Sequence, residues 1–239
     1  MPDRAEVKAV PKSEETRERI LNAALKLFHK RGFEAATMRE IAEEAGVATG
    51  AAYYYFSSKD AIVLDFYRRS CAQMQPQIES VLKDTVGLEQ RLRELIRVKL
   101  MQFGPHRGVL RALLRNGADP KHPVSPFSPQ TKEIRDIDMA WFRQILDDCG
   151  MRIPRDLGRD LPGVLWFFQM GVIFHWVIDD SPDQVRTERL LELAARSVTA
   201  LIKVSALPLM RPVRKAALEL VSLVKGVNSV QATADGTSQ

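Results

Sequence analysis

The stretch TMREIAEEAGVATGAAYYYFSSKD, residues 37–60, decides the fold. Thr37 with Glu40 three positions on forms a capping box, in which the threonine oxygen and the glutamate satisfy orphan N–H groups at a helix start reciprocally. Ile41, Ala42 and Ala45 make the apolar side of that helix, and Gly46 ends it. The spacing predicts a short helix over 37–45, a tight turn over 46–48 and a second short helix over 49–56, the grammar of a helix-turn-helix. At about 100° per residue, Tyr53, Tyr54, Tyr55 and Phe56 point round nearly the whole circumference of the second helix, so they cannot all face one core. Tyr55 and Phe56 are expected to anchor it, leaving Tyr53 and Tyr54 outward.

A helix-turn-helix sets its second helix in a major groove. Small residues at Gly50, Ala51 and Ala52 let that backbone come close, an outward tyrosine hydroxyl can donate to a phosphate oxygen, and Lys59 adds a cation at the start of the next helix. From Thr16 to Asp60 the chain resembles the DNA-binding domain of the tetracycline-repressor (TetR/AcrR) family of bacterial transcriptional regulators. The resemblance is carried by Thr37, Ile41, Ala42, Ala45, Gly46, Val47, Gly50, Tyr53, Tyr55, Phe56, Ser58 and Lys59. It implies phosphate contacts at Thr37, Tyr53, Tyr54 and Lys59, and base-edge contacts at Arg39, Thr49 and Ala51. Two positions depart from the family pattern. Ala48 stands where a serine N-cap is usual, and loss of such a cap costs roughly 1 kcal/mol unless Thr49 takes over and shifts the helix start. Ala52 replaces a larger aliphatic residue.

Composition sets the surroundings. The formal charge is +5 with a pI near 9.3, which mildly favours a polyanionic partner. Cationic and anionic side chains balance through residue 60, so a nucleic-acid reading rests on where the cations sit rather than on their number. Cys71 and Cys149 are far apart with no CxxC, which suggests neither a disulfide framework nor a thiolate zinc site. The four histidines, 29, 106, 122 and 175, are dispersed, so no metal and no cofactor are expected. The polar amino terminus lacks the apolar core of a signal peptide, and a bacterial cytoplasmic location associated with the nucleoid is expected. The most apolar run, Val164–Ile178, is shorter than the about 20 residues needed to cross a bilayer and reads as a buried helix, with no membrane partner. Nucleophile-elbow, phosphate-loop, HExxH and dinucleotide motifs are missing, which argues against an enzyme.

Outside the helix-turn-helix nearly every segment has helical spacing, which makes the chain all-α. An apolar stripe of Ile20, Ala23, Ala24, Leu27 and Phe28 precedes it, with Gly32 placed to stop that first helix. Beyond it are expected a long helix from Lys59 bent at Pro76, another over 88–103, a short stretch near 109–115, a proline-stiffened loop, and helices at 131–149, 160–179 and 184–206. A tail helix over 213–224 is expected last. The division expected is a flexible arm at 1–12, the helix-turn-helix domain at 13–60, a larger helical domain at 61–227 and a disordered tail at 228–239.

The resemblance implies that this larger domain binds a small molecule and dimerises. Phe103, His106, Trp141, Ile145, Trp166, Phe167, Gln169, Met170 and Phe174 are the candidate lining for a hydrophobic or aromatic effector. Leu191, Ala194, Val198, Leu201 and Ser205 recur at helical spacing and, with His175, are the candidate seam with a two-fold mate. The expectation is a homodimeric repressor released from a palindromic double-stranded operator by its effector. The alternative is a dimeric DNA-binding protein with no inducer, acting through a protein partner or as an architectural factor.

Overall fold

The computed structural model describes residues 12–117 and 119–219 and is all-helical over them. Helices α1 (Lys12–Arg31), α2 (Met38–Glu44), α3 (Thr49–Tyr55), α4 (Lys59–Asp84), α5 (Leu88–Phe103) and α6 (Arg107–Gly117) are followed by α7 (Lys132–Asp148), α8 (Arg155–Gly158), α9 (Leu161–Ile178) and α10 (Val185–Ser205). Residues 211–219 are helical as well. The arm before Lys12, the tail from 228 and the far half of the tail helix lie outside the described residues.

Local chemistry sets most of the boundaries. Gly32 ends α1 at φ +86°, its N–H bonded to the Phe28 carbonyl at 3.0 Å. At Gly46 (φ +65°) the chain leaves α2 through paired bonds, Gly46 N–H to Glu43 O and Val47 N–H to Ala42 O. That left-handed exit satisfies carbonyls the helix leaves open. Pro76 lies inside α4, which nevertheless runs unbroken to Asp84. Thr49 does not take over the cap of α3: Ala48 is the N-cap in extended conformation, with no side-chain bond, and Thr49 is the first helical residue.

The chain condenses into two units. One contains the residues up to Ala72 together with Phe103–Lys132, and the other contains Gln73–Gln102 with the residues from Glu133 onward. The contacts thus divide the chain within α4, after Ala72, and bring α6 and the proline-rich loop into the first unit. Its core joins Ile20, Ala24 and Phe28 of α1 to Ile41, Ala52, Phe56 and Ile62, and then to Val109, Leu113 and Val124. Gly108 lies close under His29: a Cβ there would sit 2.0 Å from its Nδ1, so any side chain at 108 would oblige the exposed His29 ring to move. The loop after α6 is held by buried hydroxyls: Ser125 donates to Gly117 O, Ser128 to Pro123 O and Thr131 to Ser125 O, each at 2.8 Å.

In the second unit α9 and α10 form a helical hairpin whose connection is organised by Asp179. That carboxylate accepts from the Ser181 N–H and hydroxyl and from the Thr187 N–H and hydroxyl, at 2.6 to 2.9 Å. The Thr187 hydroxyl bond above all holds its carboxyl well below the usual carboxylate range. Asp183 and Gln184 take positive φ to complete the turn. Leu191 of α10 is fully buried with Ile96 and Val172.

Candidate nucleic-acid interface

The amino end of α2 is built by the four residues from Thr37 to Glu40. The Glu40 N–H donates to Thr37 Oγ1 at 3.2 Å, while the Thr37 N–H and hydroxyl both donate to Glu40 Oε2 at 2.9 Å. The hydroxyl bond, followed by the backbone bond, holds the Glu40 carboxyl below its ordinary range, and Arg31 of α1 pairs with the same carboxylate. Lys26 pairs with Glu44 at the other end of α2. Two ion pairs thus hold α2 against α1, and Arg39 between them is exposed and enters no ion pair among the described residues.

Helix α3 is held from one side only. Ala52 is fully buried and Phe56, its C-cap, is nearly so, with the Arg17 guanidinium 4.6 Å above the Phe56 ring. Tyr55 packs partly against the same core. Tyr53 is 52% exposed and Tyr54 84% exposed. The rings of Tyr54 and Tyr55 meet edge to face, centroids 5.2 Å apart, so Tyr54 stands on its half-buried neighbour and presents its hydroxyl outward. Gly50 is exposed, and a Cβ added there would meet nothing within 4 Å. Internal packing does not demand a glycine at that position. The outward surface of α3 therefore comprises Thr49, Gly50, Tyr53 and Tyr54, with Ala51 half-buried at its edge.

Lys59 opens α4. Its ammonium donates to the carbonyls of Phe33 at 2.8 Å and Glu34 at 3.1 Å and lies 4.7 Å from the centroid of the Phe33 ring. An ammonium has three donors, so one is left after these bonds. Arg17 is engaged with Asp65, whose carboxyl is raised by burial but lowered further by the hydrogen bonds from Arg17 and Arg69, ending below its ordinary value.

The nine candidate lining residues fall in different units. Phe103 and His106 lie in the first unit, where both pack edge to face on Phe66, and burial lowers the His106 pKa. Trp141, Ile145, Trp166 and Gln169 are buried in the second unit, Met170 and Phe174 are half-buried there, and Phe167 is 41% exposed. The candidate seam divides too. Leu191 faces its own core, because the buried face of α10 runs through Thr187, Leu191, Ala195, Thr199 and Ile202. Ala194, Val198 and Ser205 are half-buried and Leu201 is 68% exposed. His175 is 3.1 Å from Thr187 Oγ1. The Thr187 proton is directed to Asp179, so that oxygen accepts from Nδ1 of His175.

Sequence reasoning missed a buried polar trio. Lys99, 1% exposed, donates to Asp138 Oδ1 at 2.5 Å, and Gln169 Nε2 donates to Asp138 Oδ2 at 2.8 Å. The Lys99 ammonium also lies 4.8 Å from the Trp141 ring, and Gln169 Oε1 is buried with no hydrogen-bond partner among the described residues. A signal existed. Lys99 continues the apolar stripe of Leu92, Leu95 and Ile96, and Asp138 occupies the stripe of Phe142 and Ile145, so opposite charges stand on two core-facing helix faces.

Residues 20–66 match the family of bacterial regulatory proteins described as the tetR family, and residues 91–218 match a tetracyclin repressor-like C-terminal domain. The chain is similar to the HTH-type transcriptional regulator YerO of Bacillus subtilis (strain 168), 30% identical over 110 residues, 45% of this chain and 38% of that protein. It is likewise similar to the HTH-type transcriptional regulator UidR of Escherichia coli (strain K12), 31% identical over 129 residues, 48% of this chain and 63% of that one. The matched stretch spans less than two thirds of either relative. The fold is shared with the fatty acid degradation regulator FadR from Bacillus halodurans, with a TM-score of 0.61 and 16% identity over 80% of this chain and 96% of that chain.

Proposed function

Since the chain belongs to the tetR family of bacterial transcriptional regulators, we propose that it is a cytoplasmic homodimeric repressor, reading a palindromic operator with two copies of α3 and released by a hydrophobic or aromatic effector. The observation that carries the DNA reading is the one-sided seating of α3. Ala52 and Phe56 fix it to the core, while Tyr53 and Tyr54 stand exposed beside a glycine that packing does not require. Tyr53, Tyr54, Thr37 and the remaining donor of Lys59 hold phosphates; Arg39, Thr49 and Ala51 meet base edges, and Gly50 lets the backbone approach.

Dimerisation is supported by apolar stripes that the described residues leave exposed. On α9 these are Phe167, Gly171 and Ile178, flanked by half-buried Met170 and Phe174; on α10 they are Leu190, Leu193, Leu201 and Val204, flanked by Ala194, Val198 and Ser205. Exposed apolar stripes of this length on a helical hairpin mark an association surface. Phe167, Met170 and Phe174 accordingly move from the effector lining to the seam. For the effector, Trp141, Ile145, Trp166 and Gln169 remain, around a carbonyl oxygen in want of a donor. An effector shifts the operator equilibrium only through unequal affinity for the bound and released arrangements.

Selection of bound sequences from a randomised DNA pool, with affinity then measured at two salt concentrations, tests the reading. An enriched palindrome with steeply salt-dependent affinity supports it. Binding with no enriched sequence sinks it. Thermal shift with hydrophobic and aromatic compounds tests the effector, since a ligand of the native state alone stabilises by RT ln(1 + [L]/Kd).

A further inference from the structure

The second unit contains a cavity of about 420 Å³ at the start of α5, shared with the end of α10 and with Cys149 and Met151 beyond α7. None of the nine candidate lining residues borders it. Its wall includes Leu88, Glu89 and Gln90, the first turn of α5, preceded by Gly87 at φ +80°. Gly87 offers no side chain to cap this 16-residue helix, and the first-turn N–H groups have no partner within the helix. They carry the positive end of its dipole.

Side chains add to that field. Arg93, one turn further along α5, borders the cavity, and its Nε is buried without a hydrogen bond among the described residues. Glu94 Oε1 lies 3.5 Å away but already accepts from Arg97 Nη1 at 2.5 Å. Lys203 of α10 borders the cavity and pairs with no carboxylate among the described residues. Thr199, one turn before it on the same face, is 5% exposed, and its hydroxyl has no hydrogen-bond partner among the described residues. A helical threonine ordinarily satisfies its hydroxyl on the carbonyl four residues back. Glu89 is the acidic residue of the wall, so the two cations leave it net positive.

We propose that this cavity binds a small amphipathic anion. Its carboxylate or phosphate head takes charge-assisted bonds from Arg93 and Lys203 and from the open first turn of α5. The Thr199 hydroxyl completes the head contacts, and a short apolar tail lies along Leu88, Cys149 and Met151. The bound anion ties α5 to α10. The site stands independently of the operator and of the effector lining around Trp141.

Calorimetric titration of the full-length protein with octanoate, octyl phosphate and 1-octanol tests it. These probes share one tail and differ in head, so the comparison also tells a carboxylate site from a phosphate site. At least one anion is expected to bind saturably, one per chain, about tenfold or more tighter than 1-octanol. Lys203→Met, at an exposed position, and Arg93→Gln should each weaken the anion about fivefold or more while the far-ultraviolet circular dichroism is unchanged. The anion should also slow alkylation of Cys149 but not of Cys71, which localises it. Equal binding of 1-octanol, unchanged affinity in Lys203→Met, or no saturable binding of either anion at millimolar concentration overturns the proposal.

Discussion

Lys59 Nζ lies 2.8 Å from the carbonyl oxygen of Phe33 and 4.7 Å from the centroid of that residue's own ring. The first residue of α4 is thereby tied to the link between α1 and α2, and the ammonium is held in place with one donor to spare. A lysine fixed in this way contacts a phosphate with less loss of side-chain freedom than a solvated one. The structural role of Lys59 and its proposed phosphate contact separate experimentally.

Lys59→Met should lower stability by about 1 kcal/mol through loss of the carbonyl bonds. It should also reduce the slope of log affinity against log salt by about one contact on the operator. Chemical denaturation reads the first effect and fluorescence anisotropy at several salt concentrations reads the second. An unchanged slope with reduced stability assigns Lys59 to positioning alone.

Tyr54→Phe keeps the ring that stands on Tyr55 and removes only the outward hydroxyl. Stability should change by no more than about 0.5 kcal/mol, as for other exposed substitutions. Operator affinity should fall by about 1 kcal/mol, the value of one hydrogen bond. Equal affinity of Tyr54→Phe and the parent protein removes the Tyr54 phosphate contact.

Asp65 joins Arg17 of α1 and Arg69 of α4 at 2.8 Å each. Asp65→Asn should therefore destabilise the first unit by about 2 kcal/mol at neutral pH, because hydrogen bonds to a charged group are lost. The native pKa is depressed, so the stabilisation is fully present above the unfolded value of about 3.9 and is lost as pH falls from there through the lower native value. Denaturant titrations of both proteins across that acid range should show their stabilities converge. A difference that persists undiminished in acid would mean that the ionised carboxylate is not the source.

Leu191 and Leu201 lie ten residues apart on α10, one fully buried and the other 68% exposed. Leu191→Ala should cost about 2–5 kcal/mol as a core truncation and leave the oligomeric state unchanged. Leu201→Glu should shift sedimentation from dimer toward monomer, abolish tight operator binding and leave the helical signal intact. A dimer undisturbed by Leu201→Glu would remove this stripe from the seam.

Replacing Gln169 by Glu adds an acceptor oxygen, and with it a charge, beside Asp138 in a buried site. The variant should lose about 3 kcal/mol or more of stability from like-charge burial, whereas Gln169→Met, apolar and of similar length, should be much milder because it leaves the Lys99–Asp138 pair intact. Thermal melts of the two variants compare them directly. Equal melting temperatures would show that the trio tolerates a second carboxylate.

The amino-acid sequence by itself determined whatever rests on neighbours within about one helical turn. Thr37 and Glu40 are three residues apart, and their capping box appears as read; Gly46 lies just past Ala45 and ends α2 as read; Phe56 is buried and Tyr55 partly so, while Tyr53 and Tyr54 are exposed. Only the tertiary structure decided which face of a helix meets what. Leu191 shares a stripe with Leu201 in spacing but turns into the domain, because Ile96 and Val172 stand opposite it. Lys99 and Asp138 are 39 residues apart, and Lys59 and Phe33 are 26 apart, so their pairing depends on the packing of whole helices. A periodic pattern states that a face is apolar; the neighbour that covers it is supplied by distant chain.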